Sequence, residues 1–447
     1  MARHAAFAVL CLRACAGVAV VASAATAWAS PFDLYGGTPE AMALSAGMTA
    51  WAEDGAAAFF NPAGLGLGGA AGKATVQLGY LYYGAALHID RPATDATALA
   101  IPSHAPTRDG VVFGSLLVPL GGVIANRASI GVAFSLPQSG FLNVEAREPL
   151  DPQWLRYGTD ADRITAVAAL GVHPWRWLAL GVGVQALASF AGHDTFSVDL
   201  NQKVLGGREV TFRLSSATAP IAGITWLPTD AWRVALAYRG AIGLDITQPV
   251  SATISGLGEL DITASGTVLY TPHTVSLAAT WTPTDALSLG VDLRYELWSQ
   301  APSPAFAVTL ASPADGSLLG SFITAPNATL QPPVAFRDTL TATLAAQYRV
   351  PETGVTVRAS WGYRPHYGPP PDAQQHYLDA DAHLVGAGAS LHFADPLGVF
   401  PHGLYLDGAA HAQIHPETQV NVAGDPVGPL RYGGAVLAGS LALRFQY

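Results

Sequence analysis

Cysteine is nearly absent from this chain. Its 447 residues include two, Cys11 and Cys15, both close to the N-terminus. Everything downstream lacks a thiol, which excludes a disulfide framework, a thiol nucleophile and a cysteine-ligated metal. Charge is scarce too: 12% of residues are charged, against about a quarter in soluble proteins. The net charge of −10 argues against nucleic acid as a partner. Long apolar runs are also missing. Past the N-terminus, no stretch reaches the roughly eighteen apolar residues that mark a membrane helix. Neither Gly-x-Ser-x-Gly nor His-Glu-x-x-His occurs, so no nucleophile elbow or zinc-protease helix is in view. Nothing in the pattern calls for a cofactor or a metal, and the chain reads as a non-enzyme. The histidines of the C-terminal half, such as His366, His376, His402, His411 and His415, read as surface and lumen residues.

What is present is apolar residues, at 50%, and 47 glycines. Such a chain needs an apolar solvent for much of its surface. Without helical spans, a closed barrel is the other structure that satisfies every backbone group inside lipid. The first 29 residues read as a secretory signal. Arg3, His4 and Arg13 give a basic start, Ala14 to Ala25 a short apolar run, and Ala27-Trp28-Ala29 a small-x-small cleavage site.

Alternation supports the barrel. Leu287, Leu289, Val291, Leu293, Tyr295 and Leu297 alternate with Ser288, Gly290, Asp292, Arg294 and Glu296. Side chains of a strand point to opposite faces every second residue, so one face suits lipid and the other a polar lumen. The pattern recurs around Trp232–Arg239, Leu340–Arg349 and Leu437–Tyr447. Short turns, as at Pro228 to Asp230 and Pro283 to Asp285, alternate with longer polar or Pro-rich segments, as at Gly192 to Arg213 and Ser299 to Ala335. Outer-membrane barrels have short periplasmic turns and long outer loops.

The expectation is an all-β transmembrane antiparallel barrel of about 14 strands. They run 74–88, 110–119, 127–137, 163–173, 177–191, 214–227, 231–250, 260–282, 286–298, 336–350, 354–364, 383–394, 402–414 and 434–447. In the seventh and eighth, Thr247-Gln248-Pro249 and Tyr270-Thr271-Pro272 are candidate breaks. Residues 30–73 are rich in Ala and Gly and do not alternate. They read as a plug folded into the lumen, with one or two helical turns between Glu40 and Trp51. A barrel of that size is too wide for wall side chains alone to fill.

Gly47-Met48-Thr49-Ala50-Trp51-Ala52-Glu53-Asp54-Gly55, followed by Phe59-Phe60-Asn61-Pro62-Ala63-Gly64-Leu65, closely resembles the hatch of the FadL/TodX family. Later segments also look like that family: Gly223 to Pro228 leading into Ala235 to Arg239, Thr280 to Asp285 leading into Tyr295 to Ser299, and Phe336 to Arg349. Leu378-Asp379-Ala380-Asp381 resembles the family's Pro-Asp-x-Asp, with Leu378 in place of the proline. These proteins carry long-chain fatty acids and other hydrophobic molecules across the outer membrane of Gram-negative bacteria. Related hatches occur in PorV-like secretion components, so a barrel anchoring a secretion or attachment complex is the alternative, as is a transporter of aromatic hydrocarbons.

The resemblance implies a plugged channel working by ligand-gated passive diffusion, with lateral release through the wall and movement of Ser30 to Tyr35. It implies a monomer whose partners are a long-chain fatty acid or other hydrophobic small molecule and outer-membrane lipid. Strand 127–137 holds Gly131 and ends at Pro137, with no evident bulge for a lateral gap. The hatch motif is Asn61, Pro62 and Ala63, which equally reads as a packing turn. Candidate ligand contacts are Phe32, Phe59 and Phe60 near the plug, and Phe141, Trp154, Leu155 and Phe306 on the outer loops. Arg239 and Arg294, inward by parity, either join a salt-bridged wall network with Asp292 and Glu296 or meet a ligand carboxylate.

Overall fold

The computed structural model describes residues 24–25, 31–70, 72–91, 108–138, 146–147, 149–157, 164–199, 204–254, 258–305, 307–310, 329–330, 334–393, 403–421, 425 and 427–447. Fourteen antiparallel strands close into a barrel. They are β1 (Thr75–Asp90), β2 (Arg108–Pro119), β3 (Ala128–Pro137), β4 (Thr165–Trp175), β5 (Leu178–Asp199), β6 (Val204–Thr229) and β7 (Trp232–Arg239). The second half comprises β8 (Thr274–Trp281), β9 (Leu287–Glu296), β10 (Thr339–Val350), β11 (Val355–Arg364), β12 (Ala382–Phe393), β13 (Leu404–Val420) and β14 (Leu430–Gln446). Each strand pairs with its sequence neighbour. The ring shuts where β1 meets β14, from Thr75 opposite Gln446 to Asp90 opposite Arg431.

The alternation in the sequence becomes two surfaces. Leu289, Val291 and Tyr295 are exposed on the outside of β9, while Asp292 and Glu296 are buried within. Leu437, Leu441 and Leu443 repeat this on β14. So many exposed apolar side chains would be a liability in water, but they are the expected face of a barrel in lipid. Trp175 stacks on Trp177 at 5.6 Å and Trp232 on Trp281 at 5.8 Å. Both pairs lie beside short turns, where an aromatic girdle meets the membrane surface. Among the described residues, no helix is long and apolar enough to cross a membrane.

The seventh and eighth strands differ from expectation. Neither 231–250 nor 260–282 is continuous. The wall strands β7 and β8 stop at Arg239 and start at Thr274, and residues 242–254 and 258–271 form a hairpin whose first strand pairs in parallel with β5, from Val250 opposite Asp194 to Ile254 opposite Val198. The break falls at Pro272, which has no N–H to give to a ladder, while on the other edge of β7 the Gly240 amide still donates to the Pro220 carbonyl of β6, 2.8 Å away and in register. The second candidate break, at Pro249, does not occur: Pro249 stays paired opposite Thr263. Strands β5 and β6 also run on beyond 191 and before 214, pairing through much of the segment read as a loop.

Residues 31–70 lie inside the ring. Four short helices, α1 (Pro31–Tyr35), α2 (Pro39–Ala43), α3 (Ala57–Phe60) and α4 (Ala63–Gly69), carry most of this segment. Thr38 caps α2 by accepting the Ala41 amide at 3.2 Å, and Pro39 suits the first turn. Phe32, Leu44, Met48, Phe59 and Leu65 form an apolar core with wall residues including Leu117, Val167, Ile221 and Ala345. Those partners come from β2, β4, β6 and β10, so the segment touches the lumen wall around its circumference.

Candidate functional site

The segment is seated on one side of the wall by a row of glycines. Gly171 of β4, Gly181 of β5 and Gly223 of β6 sit opposite one another in register. A Cβ on Gly181 would strike the Pro62 backbone, one on Gly171 the Pro62 carbonyl, and one on Gly223 the Asn61 side-chain oxygen. The missing side chains let the Asn61-Pro62-Ala63 turn lie directly on wall backbone. Asn61, 1% exposed, pins it there. Its Nδ2 donates to the Thr49 carbonyl at 2.8 Å and to Thr225 Oγ1 at 2.9 Å, and its Oδ1 accepts the Ala63 amide at 3.1 Å. On the lipid side of the same row lies an apolar groove of about 410 Å³, bounded by Leu170, Val182, Ile224 and Leu236.

Ion pairs hold the segment elsewhere. Arg239 of β7 binds Asp33 of α1. Arg358 of β11 meets Glu40 at 2.9 Å, and Arg233 of β7 meets Glu53 at 2.6 Å. Thr49 N donates to Asp292 at 3.1 Å. Below, on the side of the short turns, a polar vestibule of about 930 Å³ is lined by Glu40, Glu53, Asp54, Arg233, Arg349 and Arg358 among others. Burial and the nearby Glu40 carboxylate push Asp54 up from its ordinary value to about 6.

Above the turn, five of the residues singled out in the sequence converge. Phe32 and Phe59 pack at 4.9 Å between ring centres, and Phe59 meets Phe60 edge-on at 5.1 Å. The Arg239 guanidinium lies 4.2 Å from the Phe59 ring centre. Phe59, Phe60, Arg239 and Arg294 line one small cavity with Ile221 and Thr49. Aromatic faces beside guanidinium groups suit an apolar body with an acidic or polar end. Asp292 is committed to the Thr49 amide, and Glu296 accepts from Thr339 at 3.4 Å. No ion pair joins either of them to Arg239.

Trp154 and Leu155 lie elsewhere. They are not presented on loop tips but are each 1% exposed. Gln153–Trp154 pairs with Tyr377–Leu378 as a short parallel strand. Trp154 then packs against Tyr157, His415 and Tyr432. This is an aromatic cap above the lumen, with Arg156 at its centre. Arg156 pairs with Asp379 at 3.6 Å and lies over the Tyr367 ring at 4.2 Å. Burial opposes the Arg156 charge, but Asp379 together with Tyr367, Glu296 and Tyr157 outweighs it and raises the guanidinium pKa. Asp33, Arg156, Arg364 and Trp298 close a second small cavity beside α1. None of these four was singled out in the sequence. Parity along β11 puts Arg364 inward, so it was within reach of the sequence. Asp33 follows Phe32, but a lone carboxylate there carries no period. Phe141 and Phe306 lie outside the described residues. Strand β3 is paired without a shift of register along β2 and β4, so the wall has no bulge at Gly131. Among the described residues, no three His, Cys, Asp or Glu side chains cluster to hold a metal ion.

No family model and no curated protein matches the chain. Solved structures do. It resembles a Pseudomonas aeruginosa FadL homologue at 18% identity, over 95% of this chain and 99% of that one, with a TM-score of 0.55. It resembles the P. putida toluene transporter TodX at 14% identity, over 93% and 99%, with a TM-score of 0.60. The CymD monoaromatic hydrocarbon channel is similar at 14% identity, over 93% and 99%, with a TM-score of 0.54. At these identities the likeness is one of fold, and the fold is that of FadL- and TodX-type outer-membrane barrels.

Proposed function

We propose that this barrel is a channel for uptake of hydrophobic or amphipathic small molecules across the outer membrane, and that its ligands are long-chain fatty acids. In this reading residues 1–29 are a cleaved signal, 30–73 the plug and 74–447 the wall of a monomer lying in outer-membrane lipid. The observation that carries it is the junction of plug and wall, where Phe32, Phe59 and Phe60 meet Arg239 and Arg294. Burying an alkyl chain against those rings contributes about 25 cal/mol per Å², and the guanidinium groups suit its carboxylate. Trp154, Leu155, Phe141 and Phe306 belong to the outer approach. Passage is passive: the ligand moves from the outer approach to the junction and leaves sideways into lipid. For that last step we favour the glycine row Gly171–Gly181–Gly223, because there only backbone separates the Asn61-Pro62 turn from the apolar groove outside.

The test is saturable binding of a labelled fatty acid to the purified barrel in detergent, with Phe59→Ala/Phe60→Ala and Pro62→Ala for comparison. Weaker binding to the double variant is expected. Absence of saturable binding by fatty acids and aromatic hydrocarbons alike would overturn the uptake reading in favour of an anchor for a secretion or attachment complex. Aromatic hydrocarbons are the second ligand class, favoured by the stacked rings and by two structural relatives that carry such molecules in name. Toluene competing better than laurate would decide for them.

A further inference from the structure

The small cavity under the aromatic cap gathers more positive charge than the surrounding carboxylates balance. Its volume is about 10 Å³, room for about one water-sized particle. Arg156, Arg294 and Arg364 line it, together with Asp33, Glu296 and Trp298. The three guanidinium groups arrive from different parts of the fold: Arg156 from the cap, Arg294 from β9 and Arg364 from the end of β11.

Their partners do not match them. Arg156 has Asp379 at 3.6 Å, and Asp33 belongs to Arg239. That leaves Glu296 as the lining carboxylate for two cations. Arg364 is 3% exposed, yet its partners are neutral: the Tyr157 hydroxyl, and Gln413 Oε1 at 3.0 Å. Arg294 makes no ion pair among the described residues, and Asp292 on the same strand is turned to the Thr49 amide. Donors are left over as well. Arg156 Nη2, Arg294 Nε and Arg364 Nε are all buried without a hydrogen-bond partner, which is rare for groups of this kind in a folded protein. A water could accept from one or two of them but would leave the charge uncompensated, and a buried unpaired charge is strongly unfavourable.

The geometry points to a resident inorganic anion in this cavity: a monovalent ion of about halide size, held by Arg156, Arg294 and Arg364. Arg156 is disposed to share it. Its guanidinium lies over the Tyr367 ring at 4.2 Å and 5.4 Å from the Trp298 ring centre. Ring contacts occupy the face of the planar group and leave its N–H groups, which lie in the plane, for an acceptor at the edge. Size excludes larger anions, since phosphate, sulfate or a carboxylate with its chain does not fit the space of one water. The ion is a fixed part of the fold and not cargo. Arg239 lines the cavity at Phe59 and Phe60 while its partner Asp33 lines this one, so their ion pair stands between the two. Because one guanidinium comes from the cap and two from the wall, the anion rivets the cap to the barrel. Without it the three cations repel, and the cap loosens.

The experiment uses the full chain, purified in detergent. Crystals grown with sodium bromide are measured at the bromine absorption edge. An anomalous peak is expected within hydrogen-bonding reach of both Arg156 and Arg364, and its loss in Arg364→Gln. A solution measurement runs beside it: hydrogen exchange of the amides of Gln153 to Tyr157, in sodium chloride and in sodium gluconate at equal ionic strength. An ion that binds only the closed cap slows its opening about tenfold when present at about ten times its Kd. Exchange is therefore expected to be at least tenfold slower in chloride. Arg364→Gln, checked for folding by heat-shifted gel mobility, is expected to exchange at one rate in both salts. The comparison between salts removes any loosening that the substitution causes by itself. Water alone in the cavity overturns the proposal. So does an adventitious ion only, seen as a bromide peak with no effect of chloride on exchange, or a chloride effect that survives in Arg364→Gln. Loss of the bromide peak on adding laurate would also overturn it, since the cavity would then serve the head group of the transported molecule. The uptake reading is independent and stands or falls on binding of the labelled fatty acid.

Discussion

Replacing Asn61 by alanine should release the plug from the wall without opening the wall. The side chain makes three buried hydrogen bonds, to the Thr49 carbonyl, Thr225 Oγ1 and the Ala63 amide. Removing it strands a carbonyl and an amide where water does not reach. Each such group costs about 1–3 kcal/mol when left unpaired. The losses are coupled, and Ala cannot collapse onto Gly223 to fill the gap. A total of about 3 kcal/mol is a fair figure, or about 100-fold in the population of the loosened plug. Hydrogen exchange followed by mass spectrometry reads this directly. Amides between Thr49 and Leu65 should exchange about 100-fold faster in Asn61→Ala, while those of β10 and β11 keep their protection. A change below threefold in the plug would refute the view that Asn61 is its main anchor. Loss of protection in the wall as well would refute the separation of plug from barrel.

Gly223→Val should loosen the same amides, because its side chain would occupy the position of the Asn61 oxygen; exchange equal to the parent would show that the turn yields easily. Asp54, held near 6 rather than its ordinary value, favours the folded chain in its protonated form. Its stabilisation is therefore present below about pH 4 and fades as pH rises to 6. Asp54→Asn keeps the acceptor for the Ala56 amide and should raise Tm at pH 7.5 while leaving it unchanged at pH 4. Leu441→Arg, at an exposed position on the outer wall, should cost up to about 2–4 kcal/mol of folding stability if it lies at mid-bilayer depth, measured by urea titration of the barrel refolded in lipid vesicles.

The wall was readable because lipid outside and a polar lumen inside imprint a period of two on every strand. That signal fails where both faces of a strand are wet. Val204 to Arg213 is paired as strand but reads as loop, since nothing outside the membrane enforces alternation. It also fails at a joint. Residues 242–254 alternate nearly as well as β7, so only Gly240 and Pro272 betray that the chain leaves the wall there. The junction site was partly legible for the same reasons. Arg239 and Arg294 point inward by parity, and Phe59 and Phe60 flank a recognisable turn. Asp33 sits in a helix of five residues and Arg156 in a short irregular segment, both too short for a period to tie a side chain to a face. Their partners, Arg239 and Asp379, are far away in sequence and meet them only once the ring has formed.

The seam between β1 and β14 bears on how such a molecule is made. The segment inside the ring comes before the first strand, and the strand that shuts the ring comes last. A ring that shut first would leave its own N-terminal segment outside, with no free edge through which to bring it in. The inner segment must therefore take its place while the sheet is still an open trough, and closure becomes the step that captures it. That step joins the two most distant parts of the wall, so it carries the largest loop-closure cost and belongs to the slow end of folding. A chain truncated before its last strand would lose its means of enclosing the plug along with part of its wall.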